Sequence, residues 1–346
     1  MMPELPERIT DEKQLDQVMS TPSPELIEAV ARFGGGLLVL GVGGKMGYTL
    51  AHTARRAFDA AGIPDPVIGV SRFTRPGARE ALEELGVDTM ACDLLDRQAV
   101  KELPEVPNVV FMVGRKFGSA GAEALTWAMN AYLPGLVAER FPESRILVFS
   151  TGNVYPFVHA DGPGADECTP PNPVGEYAMS CLGRERVFEH FSRTNSTPTL
   201  LIRLNYAIDL RYGVLVDIAQ AVREGAPVDL SMPKVNVIWQ GEACDMILRA
   251  FPLADTPPEI LNVTGPHAWS VAELAERLGE RLGRTPRFAG QPGEAALLAD
   301  SSRACRLLGP PRVSMEQMVA WVADWIERGG RTLGKPTHFA QREGRF

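Results

Sequence analysis

The most chemically specific residues in this chain are glycines at a fixed interval. Gly41, Gly44 and Gly47 punctuate the run Gly41-Val42-Gly43-Gly44-Lys45-Met46-Gly47, directly after the apolar stretch LLVL and directly before the helical pattern TLAHTARRAFDAAG. A strand running into such a loop and out into a helix is the context in which these glycines carry meaning. The first permits a tight turn, the middle ones let backbone amides approach a pyrophosphate, and the last lets helix pack closely on strand. Amides at the helix start, backed by the helix dipole, favour negative charge there. The segment Gly41, Gly43, Gly44, Lys45, Met46 and Gly47 is therefore expected to bind a dinucleotide. Metal chemistry is not expected. The histidines (His52, His159, His190, His267, His338) lack ligand spacing, and the cysteines (Cys92, Cys168, Cys181, Cys244, Cys305) lie far apart with no CxxC pair. Such cysteines read as reduced thiols in a cytoplasmic protein.

The surrounding sequence supplies elements able to position this loop. After the first apolar run come PVIGVSR, DTMACDL, NVVFMVG and RILVFST, separated by helical or turn segments. That alternation predicts an α/β fold of the Rossmann type, a doubly wound parallel sheet covered on both faces. From about residue 205 the pattern becomes strongly helical, with VLVDIAQAVREG, AWSVAELAERLGERLG and SMEQMVAWVADWIERGG separated by Pro/Gly-rich stretches. The expected organisation is an N-terminal helical extension over 1–36, with a helix capped at Ser23, and a dinucleotide-binding domain over 37–205. A smaller substrate-side region follows over 206–328, with some segments returning to the sheet, and a polar, poorly ordered tail over 329–346. A net charge of -8, with Lys and Arg scattered, predicts no nucleic-acid or membrane-surface partner. The acidic N-terminus lacks the apolar region of a secretory signal, and no apolar stretch reaches the ~18 residues of a membrane span.

The spacing Gly41, Gly44, Gly47 is the GxxGxxG variant, and downstream segments follow in an order that resembles the extended short-chain dehydrogenase/reductase family of sugar-nucleotide epimerases and dehydratases. Cys92-Asp93-Leu94 is similar to the Asp-plus-apolar pair that flanks adenine. Residues 111–118, with Val113 and Gly114, resemble the fourth strand and its loop, Lys116 falling on that loop's Lys. Asn130 occupies the helix asparagine. Residues 149–155 and 166–177 resemble the fifth-strand segment and the approach to the catalytic helix, and 202–205 the sixth strand. The resemblance spans roughly 36–328. It implies a small-molecule substrate, a homodimer built on two helices per subunit, and a nicotinamide cofactor. Ser71 and Arg72 stand where NAD-preferring members carry an acid, so NADP is expected, with NAD possible as the alternative.

The resemblance also implies catalytic roles. Tyr177 would be the general acid/base and Thr151 would orient the substrate oxygen. In the family a Lys four residues after the Tyr lowers its pKa, since an unperturbed phenol near ~10 is a poor base at neutral pH. Here that residue is Cys181. Three accounts are open: another cation serves, Lys116 first and Arg184 behind it; Cys181 is itself reactive; or redox chemistry is lost and nucleotide binding kept. Thr151-Gly152-Asn153 lacks the two acids of the 4,6-dehydratases, which leaves epimerisation or simple carbonyl/alcohol redox. The rival expectation is a catalytically silent NAD(P)(H)-binding sensor or scaffold. Glu242 is expected to cap its helix, Asn262 to be structural, and Arg203 to be either substrate-side or ion-paired.

Overall fold

Runs of four or five apolar residues too short for helices form the centre of the sheet. The computed structural model describes residues 4–116, 118–119 and 121–344. Seven strands pair in one sheet: β1 (Leu37–Leu40), β2 (Val67–Ser71), β3 (Asp88–Ala91), β4 (Asn108–Phe111), β5 (Arg145–Thr151), β6 (Thr199–Leu204) and β7 (Glu259–Val263). Their order is β3-β2-β1-β4-β5-β6-β7, every neighbour parallel. Strands β1 and β4 are buried at every residue, as strands covered on both faces must be. This is the doubly wound α/β architecture expected. The strand order reverses between β1 and β4, and the crevice beyond their carboxyl ends is where such sheets bind ligands.

Two apolar clusters cover the two sheet faces. One joins β1 to the helices Lys45–Ala60 and Gln240–Arg249, and the other joins β4 and β5 to the helices Leu133–Arg140 and Gly175–Asn195. A third lies beyond the strand ends, built from the helices Val214–Glu224, Val271–Leu282 and Met315–Glu327.

Both termini are tied into this body. Ser23 caps the helix Pro24–Val30 by accepting the Leu26 amide, and a second helix, Glu12–Ser20, precedes it with Asp11 as its cap. Ile9, Leu15 and Met19 enter the third cluster, and the Trp321 indole donates to Pro6 O at 3.0 Å. The tail, expected to be poorly ordered over 329–346, is laid along the third cluster as far as it is described, to Gly344. Thr337, 3% exposed, donates its amide and hydroxyl to Asp217 at 2.7 and 2.6 Å. Arg342 donates to Ala295 O at 2.8 Å and lies over the Phe157 ring. A polar composition hid these anchors, because each is a single side chain finding a partner far away in the chain.

Candidate functional site

The glycine loop leaves β1 at Gly41, whose φ of +94° suits a residue without a side chain. A Cβ on Gly47 would lie 2.4 Å from Val42 O, so the helix start and the loop approach as closely as backbone allows. Gly44 is the N-cap of the helix Lys45–Ala60 and provides no side-chain cap, and Gly43 and Gly44 are exposed. The open amides of that first turn are what an anion would need. Around the same crevice the structure brings Ser71 at the end of β2, its hydroxyl against Gly43, and exposed Arg72 beyond it. Asp93 is exposed and accepts the Leu95 amide, Leu94 is buried, and Val113 and Gly114 follow β4, Val113 packing on Gly41.

Asn130 sits in a π-helical turn, Ala128–Tyr132, and is fully buried. Its amide oxygen accepts the Arg115 amide at 2.8 Å and Arg184 Nη2 at 3.0 Å; its nitrogen donates to Arg115 O and to Ser180 Oγ. One side chain thus joins the loop after β4 to the helix Gly175–Asn195. A π turn widens the helix locally and recurs at functional sites.

That helix begins at Gly175 and places Tyr177 over the end of β5. The Tyr177 hydroxyl interacts with Thr151, and burial, then Cys181, push the phenol's pKa above its ordinary value while Arg184 and Thr151 pull it down. Thr151, 6% exposed, also accepts from the Asn153 amide at 3.2 Å and from Asn153 Nδ2 at 3.0 Å. Cys181 is 1% exposed, and burial raises its thiol pKa, with Arg184 opposing. A buried thiol held protonated is inert, which sets aside the reactive-cysteine account.

Lys116 projects from the loop after β4, its ammonium 5.8 Å from the centre of the Tyr177 ring. Burial lowers its pKa to about 8, Cys181 and Asp217 opposing and Lys45 adding to the depression. Arg184 is fixed more rigidly. Its guanidinium donates to Phe149 O at 2.6 Å and to Asn130, and its charge acts on both Tyr177 and Cys181. The cation that the helix lacks four residues after Tyr177 is therefore present seven residues after it.

Two features escaped sequence reading. Glu185 lies 2.7 Å from Arg203 Nη2, both nearly fully buried, and accepts Ser150 Oγ at 2.5 Å. This settles Arg203 as ion-paired, with Glu185 as the partner that no spacing in the sequence pointed to. The second is Lys45: sequence placed its backbone in the loop, but its side chain turns inward to donate to Ala207 O at 3.0 Å. Glu242 accepts the amides of Arg312 and Val313 rather than capping its own helix, whose N-cap is Trp239. Asn262 receives the Tyr155 hydroxyl at 2.8 Å, a structural bond. Among the described residues no His/Cys/Asp/Glu group could hold a metal ion, and no helix is long and apolar enough to cross a membrane.

No protein-family model and no curated protein matches the chain. Solved structures do match. The UDP-glucose 4-epimerase of Thermus thermophilus, complexed with NAD, aligns with a TM-score of 0.67 at 20% identity, over 84% of this chain and 98% of its own. The dTDP-glucose 4,6-dehydratase of Bacillus anthracis str. Ames, also with NAD, gives a TM-score of 0.71 at 14% identity, over 85% and 97%. The UDP-Glc/GlcNAc 4-epimerase of Campylobacter jejuni gives 0.65 at 22% identity, over 85% and 100%. The chain shares their fold.

Proposed function

We propose that this protein is an NAD(P)-dependent oxidoreductase or epimerase acting by reversible hydride transfer on a hydroxylated small molecule, with sugar nucleotides as the favoured class. The observation that carries the reading is the interaction of Tyr177 with Thr151 at the end of β5, across the crevice from the open amides of the Gly44 loop. The fold shared with proteins named for UDP- or dTDP-sugars, two of them complexed with NAD, supports the substrate class. When bound, a nicotinamide supplies the hydride donor and acceptor. The chain's own residues handle the proton. Burial keeps the Tyr177 phenol protonated but makes it a reluctant donor, so Tyr177 Oη would give its proton to a carbonyl oxygen that Thr151 orients only where positive charge stabilises the phenolate left behind. The reverse step, taking a hydroxyl proton, needs the positive charge of Arg184 and Lys116 to stabilise the phenolate.

Exposed Arg72 and Arg75 beside Ser71 favour a doubly anionic phosphate, hence NADP over NAD. The residues Leu125, Trp127, Tyr132 and Met179, all exposed on the paired helical segments, support a homodimer through that face. Light scattering should give twice the chain mass, and Tyr132→Asp should return it to one.

A second reading keeps nucleotide binding without chemistry, and the thiol of Cys181 in place of an ammonium favours it. Denaturing freshly purified protein and identifying released nucleotide by mass spectrometry addresses both. Stoichiometric NAD or NADP indicates an epimerase that keeps its cofactor through the cycle, and an empty protein indicates exchangeable NADPH or a sensor. Tyr177→Phe separates these: an enzyme loses turnover by about 100-fold or more, whereas a sensor keeps its NADPH affinity and loses nothing.

A further inference from the structure

Lys45 occupies the first position of the helix that follows the glycine loop, where a long cationic side chain has open solvent available beside exposed Gly43 and Gly44. It turns inward instead. Its ammonium donates to Ala207 O at 3.0 Å and lies 4.3 Å from the centre of the Tyr212 ring. An ammonium carries three donors, and among the described residues this carbonyl is the acceptor found for it. No carboxylate reaches it at ion-pair distance among those residues. Asp209, which acts on it from farther away, already accepts the amides of Arg211 and Tyr212 at 2.6 and 2.9 Å. Removing an ammonium from water without a paired anion is unfavourable by several kcal/mol. A side chain that could have avoided this and does not is a sign of a missing acceptor.

The sheet order says where that acceptor would lie. Ser71, Arg72, Asp93 and Leu94, the adenine-side residues, extend from β2 and β3 on one side of β1. Ala207 follows β6 on the other side, beyond β4 and β5, and its segment pairs with Ile238–Trp239 in the substrate-side wall. The Lys45 side chain therefore runs from the phosphate loop towards the side that holds Thr151, Tyr177 and Lys116, and away from the adenine side.

We propose that the Lys45 ammonium is a ligand-facing group that takes an oxygen acceptor on the nicotinamide half of the bound dinucleotide, supplying from the glycine loop a contact that the helix cannot make with cysteine at position 181. The inference rests on the dinucleotide reading and names a residue of that same site. Its role is binding; proton transfer remains with Tyr177.

The test titrates two probes against the full chain at neutral pH: NADPH, and adenosine 2′,5′-bisphosphate, which lacks the nicotinamide half. Lys45→Met should weaken NADPH by about tenfold or more, the worth of a hydrogen bond to a charged group, and leave the bisphosphate within twofold. Lys45→Arg, which keeps charge and donors, should recover most of the loss. Equal weakening of both probes would show that Lys45 only supports the loop, and no weakening of either would show that its ammonium meets no dinucleotide; each overturns the inference. If the natural chain binds neither probe but binds NADH, NADH and ADP replace the pair; if it binds none of these, the dinucleotide reading fails first and this inference with it, a result seen before any substitution is made. Thermal unfolding guards the comparison. A partly buried, poorly compensated ammonium replaced by Met should leave the fold as stable or more so, whereas a lysine kept for structure should lose stability.

Discussion

Cys181, Arg184 and Lys45 together describe how this site departs from a Tyr-x-x-x-Lys arrangement. The thiol fills a buried position on the helix, positive charge stands near Tyr177 on Arg184 one turn later and on Lys116 from the loop after β4, and Lys45 from the glycine loop acts on Lys116. Their electrostatics differ. Arg184 is tied to Phe149 O and Asn130, while burial holds Lys45 down to about 8, with Asp209 and Cys244 opposing and Arg211 adding to the depression. Tyr212 and Lys116 complete its charged and titratable surroundings. A lysine so depressed binds fewer protons folded than unfolded between pH 8 and its ordinary value of 10.5. It therefore destabilises the fold fully below pH 8 and progressively less above. Lys45→Met should be more stable than the natural chain at pH 7 by about 1–2 kcal/mol, a figure discounted for partial exposure. The difference should shrink as the pH rises through 8 towards 10, and urea denaturation at pH 7 and 9.5 measures it. A gap that widened with pH would mean that Lys45 is paired and charged in the fold.

At the scale of elements, the helix Gly175–Asn195 is the part on which the site depends, because it presents Tyr177 and is held from three directions. Asn130 and Ser180 tie it to the loop after β4, Arg184 ties it to β5 through Phe149 O, and Glu185 ties it to β5 and β6 through Ser150 and Arg203. The Glu185–Arg203 pair is two-pronged, at 3.0 and 2.7 Å, with exposures of 1% and 2% that leave no water to replace a lost partner. Glu185→Ala should destabilise the protein by about 3–5 kcal/mol, because it strands a buried guanidinium. Urea unfolding followed by circular dichroism measures this. Replacing both residues with apolar ones of similar volume should recover much of the loss, which separates an unpaired charge from a simple cavity.

Across the whole molecule, the two termini close the third cluster from opposite sides. The N-terminal segment supplies Ile9, Leu15 and Met19 to its core, and Arg328 returns to Ile9 O and Thr10 O. The C-terminal tail runs from Leu333, bonded to Arg211 O, past Asp217 and Ser231 to Gly344, which packs against Val174 and Gly175 at the start of the Tyr177 helix. Its central latch is buried Thr337, whose two donors meet one half-buried carboxylate. Thr337→Val should lower stability by about 1.5–3 kcal/mol and speed tryptic cleavage after Arg342. An unlatched tail would show neither effect.

The fold class was legible in sequence because its signals are local: apolar runs of strand length, alternating with helical periodicity, leave few arrangements besides a covered parallel sheet. The glycine loop was legible for the same reason, since Gly41, Gly44 and Gly47 answer to backbone geometry within seven residues. The family resemblance read in the sequence also singled out Tyr177, Thr151 and the missing lysine. It did not determine which charges lie near Tyr177, because Lys116 and Arg184 reach it from separate elements and their distances depend on how the sheet stacks them. Nor did it show that Arg203 is consumed by Glu185, that Glu242 serves the loop at Arg312 and Val313, or that a polar tail is anchored by Thr337. Each of these is a contact between residues separated in the chain. Periodicity and spacing carry no record of such bonds; only the tertiary structure, by bringing a buried donor and acceptor together, decides them.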